Sequence, residues 1–255
     1  MAVGSDVGKM TLMATEKREK RLVILAGIIL VLVLWQALAF VVPLVPSPWP
    51  PFYWALPVRG QVVDADTGAP VEGVIVTANW ELKSFGWTTI SLGQLVVEET
   101  VTDKKGQYAF SWWRPRLRWP LWGTLGTDAP GLLFFKSGYQ WQGHANDVFS
   151  HSNFGLGLFP TSDWNGATIK LKKFQGSEKE YAEHFGHLDV SLSFATGGSA
   201  RNCEWKKIPR MLAALHLEER RFRKQGIYSS LAPIETMPNQ AHCGSAEQFL
   251  RSYLP

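Results

Sequence analysis

Charge and cysteine are both scarce in this chain of 255 residues: 19% of it is Asp, Glu, Lys or Arg, and it holds two cysteines. Two cysteines exclude a disulfide-dense scaffold and a four-cysteine zinc site. Half of the formal net charge of +4 is carried by one end, since five of the 26 Lys and Arg residues precede Leu22 against three of the 22 Asp and Glu. The remainder of the chain is close to neutral, which argues against nucleic acid as a partner. Catalytic signatures are missing as well: H-E-x-x-H, G-x-S-x-G and G-x-x-x-x-G-K-S/T occur nowhere. No cofactor is expected. The chain does have apolar content, at 45%, enough for one compact domain with a flanking segment.

The clearest positive feature is the uncharged apolar run over residues 22–42, LVILAGIILVLVLWQALAFVV. As a helix it matches the thickness of a bilayer, so a transmembrane helix is expected there. Lys17, Arg18, Lys20 and Arg21 precede it, and no basic residue occurs after it until Arg59. By the positive-inside rule residues 1–21 form a cytoplasmic basic stub, and everything beyond the helix lies outside, in a periplasm if the cell has two membranes. Inner-membrane lipid is thus the first expected partner. The competing reading is a secreted protein cut near Ala39, because Ala37-Leu38-Ala39 has the small-x-small form of a signal-peptide site.

Residues 43–57, PLVPSPWPPFYWALP, carry six prolines among Trp49, Phe52, Tyr53 and Trp54. This composition predicts a stiff, extended proline and aromatic stalk. The pattern then changes to period two. Val74, Val76, Ala78, Trp80 and Leu82 alternate with Ile75, Thr77, Asn79 and Glu81, which predicts a strand with one apolar face. Further strands are expected at residues 58–63, 95–102, 107–112, 131–135 and 168–171. Turn formers separate them, above all Asp64-Ala65-Asp66-Thr67-Gly68, where the aspartates can bond local amides and Gly68 can take positive φ. Short strands divided by such turns argue for a β-sandwich.

Three stretches carry a family resemblance. Val58-Arg59-Gly60-Gln61-Val62-Val63-Asp64 with Thr67-Gly68-Ala69-Pro70 and Gly73-Val74-Ile75-Val76 resembles the opening of carboxypeptidase regulatory-like domains. Thr102-Asp103-Lys104-Lys105-Gly106-Gln107-Tyr108-Ala109-Phe110 resembles that family's hairpin signature, and Phe135-Lys136-Ser137-Gly138-Tyr139 its late glycine-tyrosine element. The resemblance covers residues 58–173 and implies a mainly β, transthyretin-like Greek-key sandwich without catalytic residues. The residues also have a physical reading: Gly106 supplies the left-handed turn, Asp103 bonds backbone at its start, and Tyr108 and Phe110 share one face. His216-Leu217-Glu218-Glu219 has the H-x-x-E spacing of metallocarboxypeptidase zinc ligands, but the chain has no room for that catalytic fold. A small-molecule hydrolase family of transthyretin-like fold ends in Tyr-Arg-Gly-Ser, which is absent here.

Two departures from the family pattern are the candidate binding surfaces. Residues 112–122 hold Trp112, Trp113, Trp119 and Trp122 with Arg114, Arg116 and Arg118, a set suited to an arginine and tryptophan ladder. It can dock on a membrane, a glycan or a partner protein, or form a local core. Residues 140–166 form a long insert with Trp141, His144, Asp147 and His151, of the length that carries binding function. No ligand motif matches the spacing of His144, Asp147 and His151, so no metal site is assigned. His184 and His187 are a second histidine pair.

Residues 174–255 are expected to form a small helical C-terminal extension. Pro209 suits a first turn, Gly226 a stop, and Met211, Leu212, Leu215 and Phe222 a stripe that packs on the sandwich, with Glu218 intruding. Cys203 and Cys243 flank this helix and are expected to pair. The whole reads as a membrane-anchored, non-enzymatic module contacting another envelope protein. The alternatives are a carbohydrate-binding module and, further off, a metal-dependent hydrolase using His144 and His151 or His184 and His187.

Overall fold

The structure is a computed structural model describing residues 17–34, 52–84, 90–117, 123–126, 128–147, 162–196, 203–231 and 242–254. Helix α1 covers residues 17–34 and is exposed along its length. Among the described residues no helix is long and apolar enough to cross a membrane. The expected span runs on to residue 42, and residues 35–42 lie outside the described ones.

The rest is built in three layers around one central sheet. That sheet has the order β4-β3-β8-β9, formed by β3 (Ile75–Ser84), β4 (Ser91–Val101), β8 (Gly131–Phe135) and β9 (Gln142–His144), with β7 (Gly123–Leu125) also on β3. A three-stranded sheet of order β10-β2-β5 packs on one face, from β2 (Val58–Asp64), β5 (Gln107–Phe110) and β10 (Thr168–Leu171). Strand β2 runs parallel to β10 and antiparallel to β5. The apolar members of β3 make the core between the sheets: Val76, Ala78, Trp80 and Leu82 are buried against Val62, Tyr108, Phe110, Phe134 and Leu171. Aromatic edges lock it, with Trp80 meeting Phe110 at 6.3 Å and Tyr108 meeting Phe134 at 5.3 Å.

The turns expected from sequence form as the chemistry requires. Asp64 Oδ1 accepts from Asp66 N at 3.1 Å and from Thr67 N and Oγ1 at 3.0 Å, while Gly68 takes φ +70°. Asp103 Oδ1 accepts from Lys105 N and Gln107 N at 2.8 Å. Gly106 sits at φ +70°, and a Cβ there would collide with Val62 O, so no other residue fits. The expected hairpin needs a correction: this turn carries the chain from β4 in one sheet to β5 in the other, where β5 pairs with β2. Tyr108 and Phe110 do share the buried face, with Ala109 outside.

The stalk is corrected over its last part. Residues Phe52–Ala55 form β1, which pairs antiparallel with β6 (Trp113–Leu117) in a two-stranded sheet. The six prolines explain why: after Pro51 the next is Pro57, leaving five proline-free residues with every amide able to donate. Pro115 in β6 is tolerable because a two-stranded ribbon has only edges.

The helical extension is more than a small appendix. Helices α2 (Glu178–Gly186), α3 (Leu188–Thr196), α4 (Pro209–Lys224) and α5 (Ala246–Leu250), with a 3-10 turn at Glu204–Lys207, cover the other face of the central sheet. Phe185, Leu188, Leu192, Ile208, Met211, Leu215 and Phe222 are buried there with Val97, Leu133 and Phe135 of the sheet. A capping box starts α2, with Glu180 N donating to Ser177 Oγ at 3.3 Å and Ser177 N donating back to Glu180 Oε2 at 2.7 Å. Cys203 and Cys243 form the expected disulfide, with a sequence separation of 40. It ties the 3-10 turn to the segment leading into α5.

Polar contacts register this layer on the sheet. Ile208 precedes α4 and cannot cap it, so Glu99 of β4 does: Arg210 N donates to Oε1 at 3.1 Å and Met211 N to Oε2 at 2.7 Å. Burial raises the Glu99 carboxyl above the ordinary range even though these amides pull it down. Glu218, which breaks the apolar stripe of α4, accepts from Ser137 Oγ of the sheet turn and from Arg221 Nε at 3.0 Å. Arg221 also reaches Glu178 of α2 at 2.9 Å. The intruding carboxylate is therefore the centre of a latch between two helices and the sheet.

Candidate binding surface

The tryptophan and arginine stretch begins where β5 ends and continues into β6. Trp112 is 59% exposed and available for contact. Trp113 is corrected from surface to core: it is 4% exposed and meets Trp80 edge-on at 5.9 Å. Arg114 and Arg116 lie on β6, with Arg116 in register with Tyr53 of β1. Arg118, Trp119 and Trp122 lie outside the described residues. What the fold adds is the pairing itself, which fastens the chain beyond the apolar segment onto this stretch.

The insert over residues 140–166 divides into separate structural roles. Trp141 is corrected from ligand contact to clamp: its ring stacks on His184 at 5.5 Å and its Nε1 donates to His184 O at 2.9 Å, joining β9 to α2. His144 lies against Trp164 at 4.1 Å and Phe134 at 5.7 Å, with Nε2 3.1 Å from Gln142 Oε1. Burial lowers its pKa, which favours the neutral imidazole. Asp147 is exposed at its side chain while its N donates to Asp163 Oδ2 at 2.8 Å. Asn146 fastens the loop base, donating from Nδ2 to Ala129 O at 2.7 Å and accepting from Asp163 N at 3.0 Å. His151 lies outside the described residues.

The histidines do not assemble into a metal centre among the described residues. There, the one group of three possible ligands with close donor atoms is Cys203, His242 and Cys243, and both sulfurs are spent in the disulfide. His184 is half-buried between Trp141 and Phe174, its pKa lowered by burial and then by His187. His187 is the cap that ends α2. Of the H-x-x-E pair, Glu219 is buried and held by Arg223 at 2.5 Å. Sequence reasoning passed over Thr77 and Asn79, which sit on the face of β3 under the helical layer, because no motif marks them.

No family model matches this chain, and no curated protein is significantly similar to it. Solved structures that share part of its course include the following three. A 3-chlorocatechol 1,2-dioxygenase from Rhodococcus opacus 1CP aligns at TM-score 0.29 and 16% identity over 47% of this chain and 60% of its own. A group B streptococcus pilus 2b backbone protein aligns at TM-score 0.24 and 12% identity over 47% of this chain and 41% of its own. A 9R-lipoxygenase from Cyanothece PCC8801 aligns at TM-score 0.24 and 13% identity, over 75% of this chain and 28% of its own. This chain spans less than two thirds of each, and likenesses at this level carry no argument about its activity. The architecture itself is β-rich, two packed sheets with one of them covered by helices.

Proposed function

We propose that this protein is a membrane-anchored, non-enzymatic binding or assembly module that holds a sandwich on the outer side of the inner membrane. One observation carries the reading: the large apolar side chains of α1 from Leu22 to Leu34, Gly27 and Ala26 aside, are all more than half exposed. A row of that kind all round a helix has no stable place in water, and hydrocarbon is the solvent that accepts it. The basic residues at its start, with none after it until Arg59, set the N-terminus inside. Trp49, which precedes β1 in sequence, fits the interface beyond it. The disulfide suits an oxidising compartment.

The sandwich is proposed to be of the carboxypeptidase regulatory-like, transthyretin-like kind. Its support is the physical use of the three resembling stretches: the Asp64 turn, the Asp103–Gly106 crossing and the Ser137-Gly138-Tyr139 turn. Tyr139 Oη donates to Asp64 Oδ2 at 3.2 Å, so the first and last of them meet. The exposed Trp112, with the arginines after it in sequence, is the proposed contact for an envelope partner.

Alkaline carbonate washing of membranes from cells making the full chain tests the anchor. The protein is expected to stay in the membrane pellet, and release into the supernatant would contradict the reading. Trp112→Ala leaves the fold intact and weakens partner binding measured by co-purification; unchanged co-purification moves the contact elsewhere.

A further inference from the structure

A hollow of about 280 Å³ lies between the central sheet and α3, on the face away from the sandwich core. Its floor follows from register. Across the sheet, Thr77 pairs with Leu133 and Leu133 with Gly143, while Asn79 pairs with Gly131. All lie on the side opposite Val76, Ala78 and Trp80. The two glycines are what leaves the space open. A Cβ on Gly131 would come no nearer than 4.0 Å to Asn79 O, and one on Gly143 no nearer than 3.8 Å to the Trp141 ring. Ser191 and Phe194 of α3 close the hollow from the helical side.

The chemistry of the walls narrows the ligand. No Asp, Glu, Lys or Arg is among the described residues that line it, so an ion entering it would lose water and meet no opposite charge. His144 is among the lining residues, and burial favours its neutral form. A hydrocarbon is less suited, because the exposed Ser191 hydroxyl and the half-buried Asn79 carboxamide would lose water beside it. The Asn79 Oδ1 already has no hydrogen-bond partner although it is buried. A half-turn about χ2 exchanges its oxygen and nitrogen, so the same side chain can accept from or donate to a ligand hydroxyl. Phe194, half-buried, offers an apolar surface beside these polar groups.

We propose that this hollow is a binding site for a small neutral polyhydroxylated ring, a single hexose unit in size, held by Asn79 and Ser191 with its C–H face on Phe194. The volume is just under the range of pockets for drug-sized ligands, which fits one ring and not an oligomer. The site is separate from the Trp112 stretch and does not depend on membrane anchorage. Affinity is expected to be millimolar, as befits a few hydrogen bonds in an open site.

The test is saturation-transfer NMR on the full chain in nanodiscs with glucose, galactose, mannose and N-acetylglucosamine, and with glucuronate as the charged control. At least one neutral sugar is expected to receive saturation at its ring protons, with glucuronate weaker. Gly143→Val fills the hollow without backbone strain and is expected to abolish the transfer while the thermal midpoint holds. Gly131→Val serves as a second filling variant should Gly143→Val lower that midpoint. No transfer to any of the four neutral sugars, transfer that survives in a folded filling variant, or a preference for glucuronate would overturn the proposal.

Discussion

The two faces of the central sheet are packed by different means. The inner face is a hydrocarbon interface: Val76, Ala78, Trp80 and Leu82 meet apolar partners on the second sheet, and shape does the specifying. The outer face is mixed. Thr77 is 1% exposed under the helices, Glu99 caps α4 from the sheet, and Ser137 reaches Glu218 on that helix. One face is held by what it excludes, and the other is aligned by groups that must each find a partner. A helical layer laid on a sheet face rich in polar residues thus gains its register from hydrogen bonds, while burying carboxylates to do so.

Truncation breaks both faces most severely. Phe134→Ala on the inner face and Phe222→Ala in the helical layer should each cost about 3–5 kcal/mol, since both side chains are fully buried. Hydrogen exchange read by mass spectrometry separates them: the first exposes both sheets, whereas the second exposes α2 and α4 while β2, β3 and β5 stay protected. Equal loss everywhere in both variants would mean one cooperative unit.

Removing the staple acts on the outer side alone. Cys203→Ser with Cys243→Ser should cost up to about 4 kcal/mol for the 40-residue separation on the chain-entropy model. Thermal unfolding in the presence of reductant gives the same number on the native sequence. A midpoint that ignores the loss would show that the helical layer does not need it.

The carboxylates of the two faces respond to pH with opposite sign. The Thr67 amide, with the Thr67 hydroxyl and the amide of Asp66, lowers the Asp64 pKa. Its contribution is present above the ordinary carboxylate pKa and is lost as pH falls through the lower folded value. Burial raises Glu99, so its contribution is present below the ordinary value and is lost as pH rises through the higher folded one. Asp64→Asn should therefore flatten the acid limb of a stability-against-pH curve, and Glu99→Gln should remove a decline on the neutral side. Glu99→Ala should in addition cost about 1 kcal/mol for the uncapped helix start.

The smallest effect sharpens the inner face. Tyr108 Oη is buried with no partner, which pushes its pKa to about 12, and it lies where a Cβ on Gly60 would come within 2.5 Å. Tyr108→Phe should leave stability unchanged or raise it by up to about 1 kcal/mol, because an unpaired hydroxyl is removed. Gly60→Ala should be destabilising in the wild-type background and milder beside Tyr108→Phe. A cycle of the two by chemical denaturation checks the coupling.

Much of the inner core could be read in advance because alternation reports an apolar face directly. Strands β8 and β10 fall at the expected residues, and α4 ends two residues before the expected stop at Gly226. Alternation does not report whether the polar face is covered. Thr77, Asn79 and Glu99 look like solvent positions until helices are laid on them, so the hollow and the α4 cap were invisible. Strand β1 was hidden among prolines, and α2 was missed although Ser177 and Glu180 have capping-box spacing. On the candidate surface, Trp113 has the same chemistry as Trp112, and only the packing against Trp80 tells core from contact.

Mass spectrometry of the fragments left in right-side-out membrane vesicles after trypsin treatment tests the anchored, outward-facing reading most directly. Loss of the folded part is expected, with a membrane-retained fragment that runs from the N-terminus to Arg59 or beyond, since no basic residue lies between Arg21 and Arg59. A chain that stays whole until the vesicles are opened, or one that leaves no N-terminal fragment in the membrane, would contradict it.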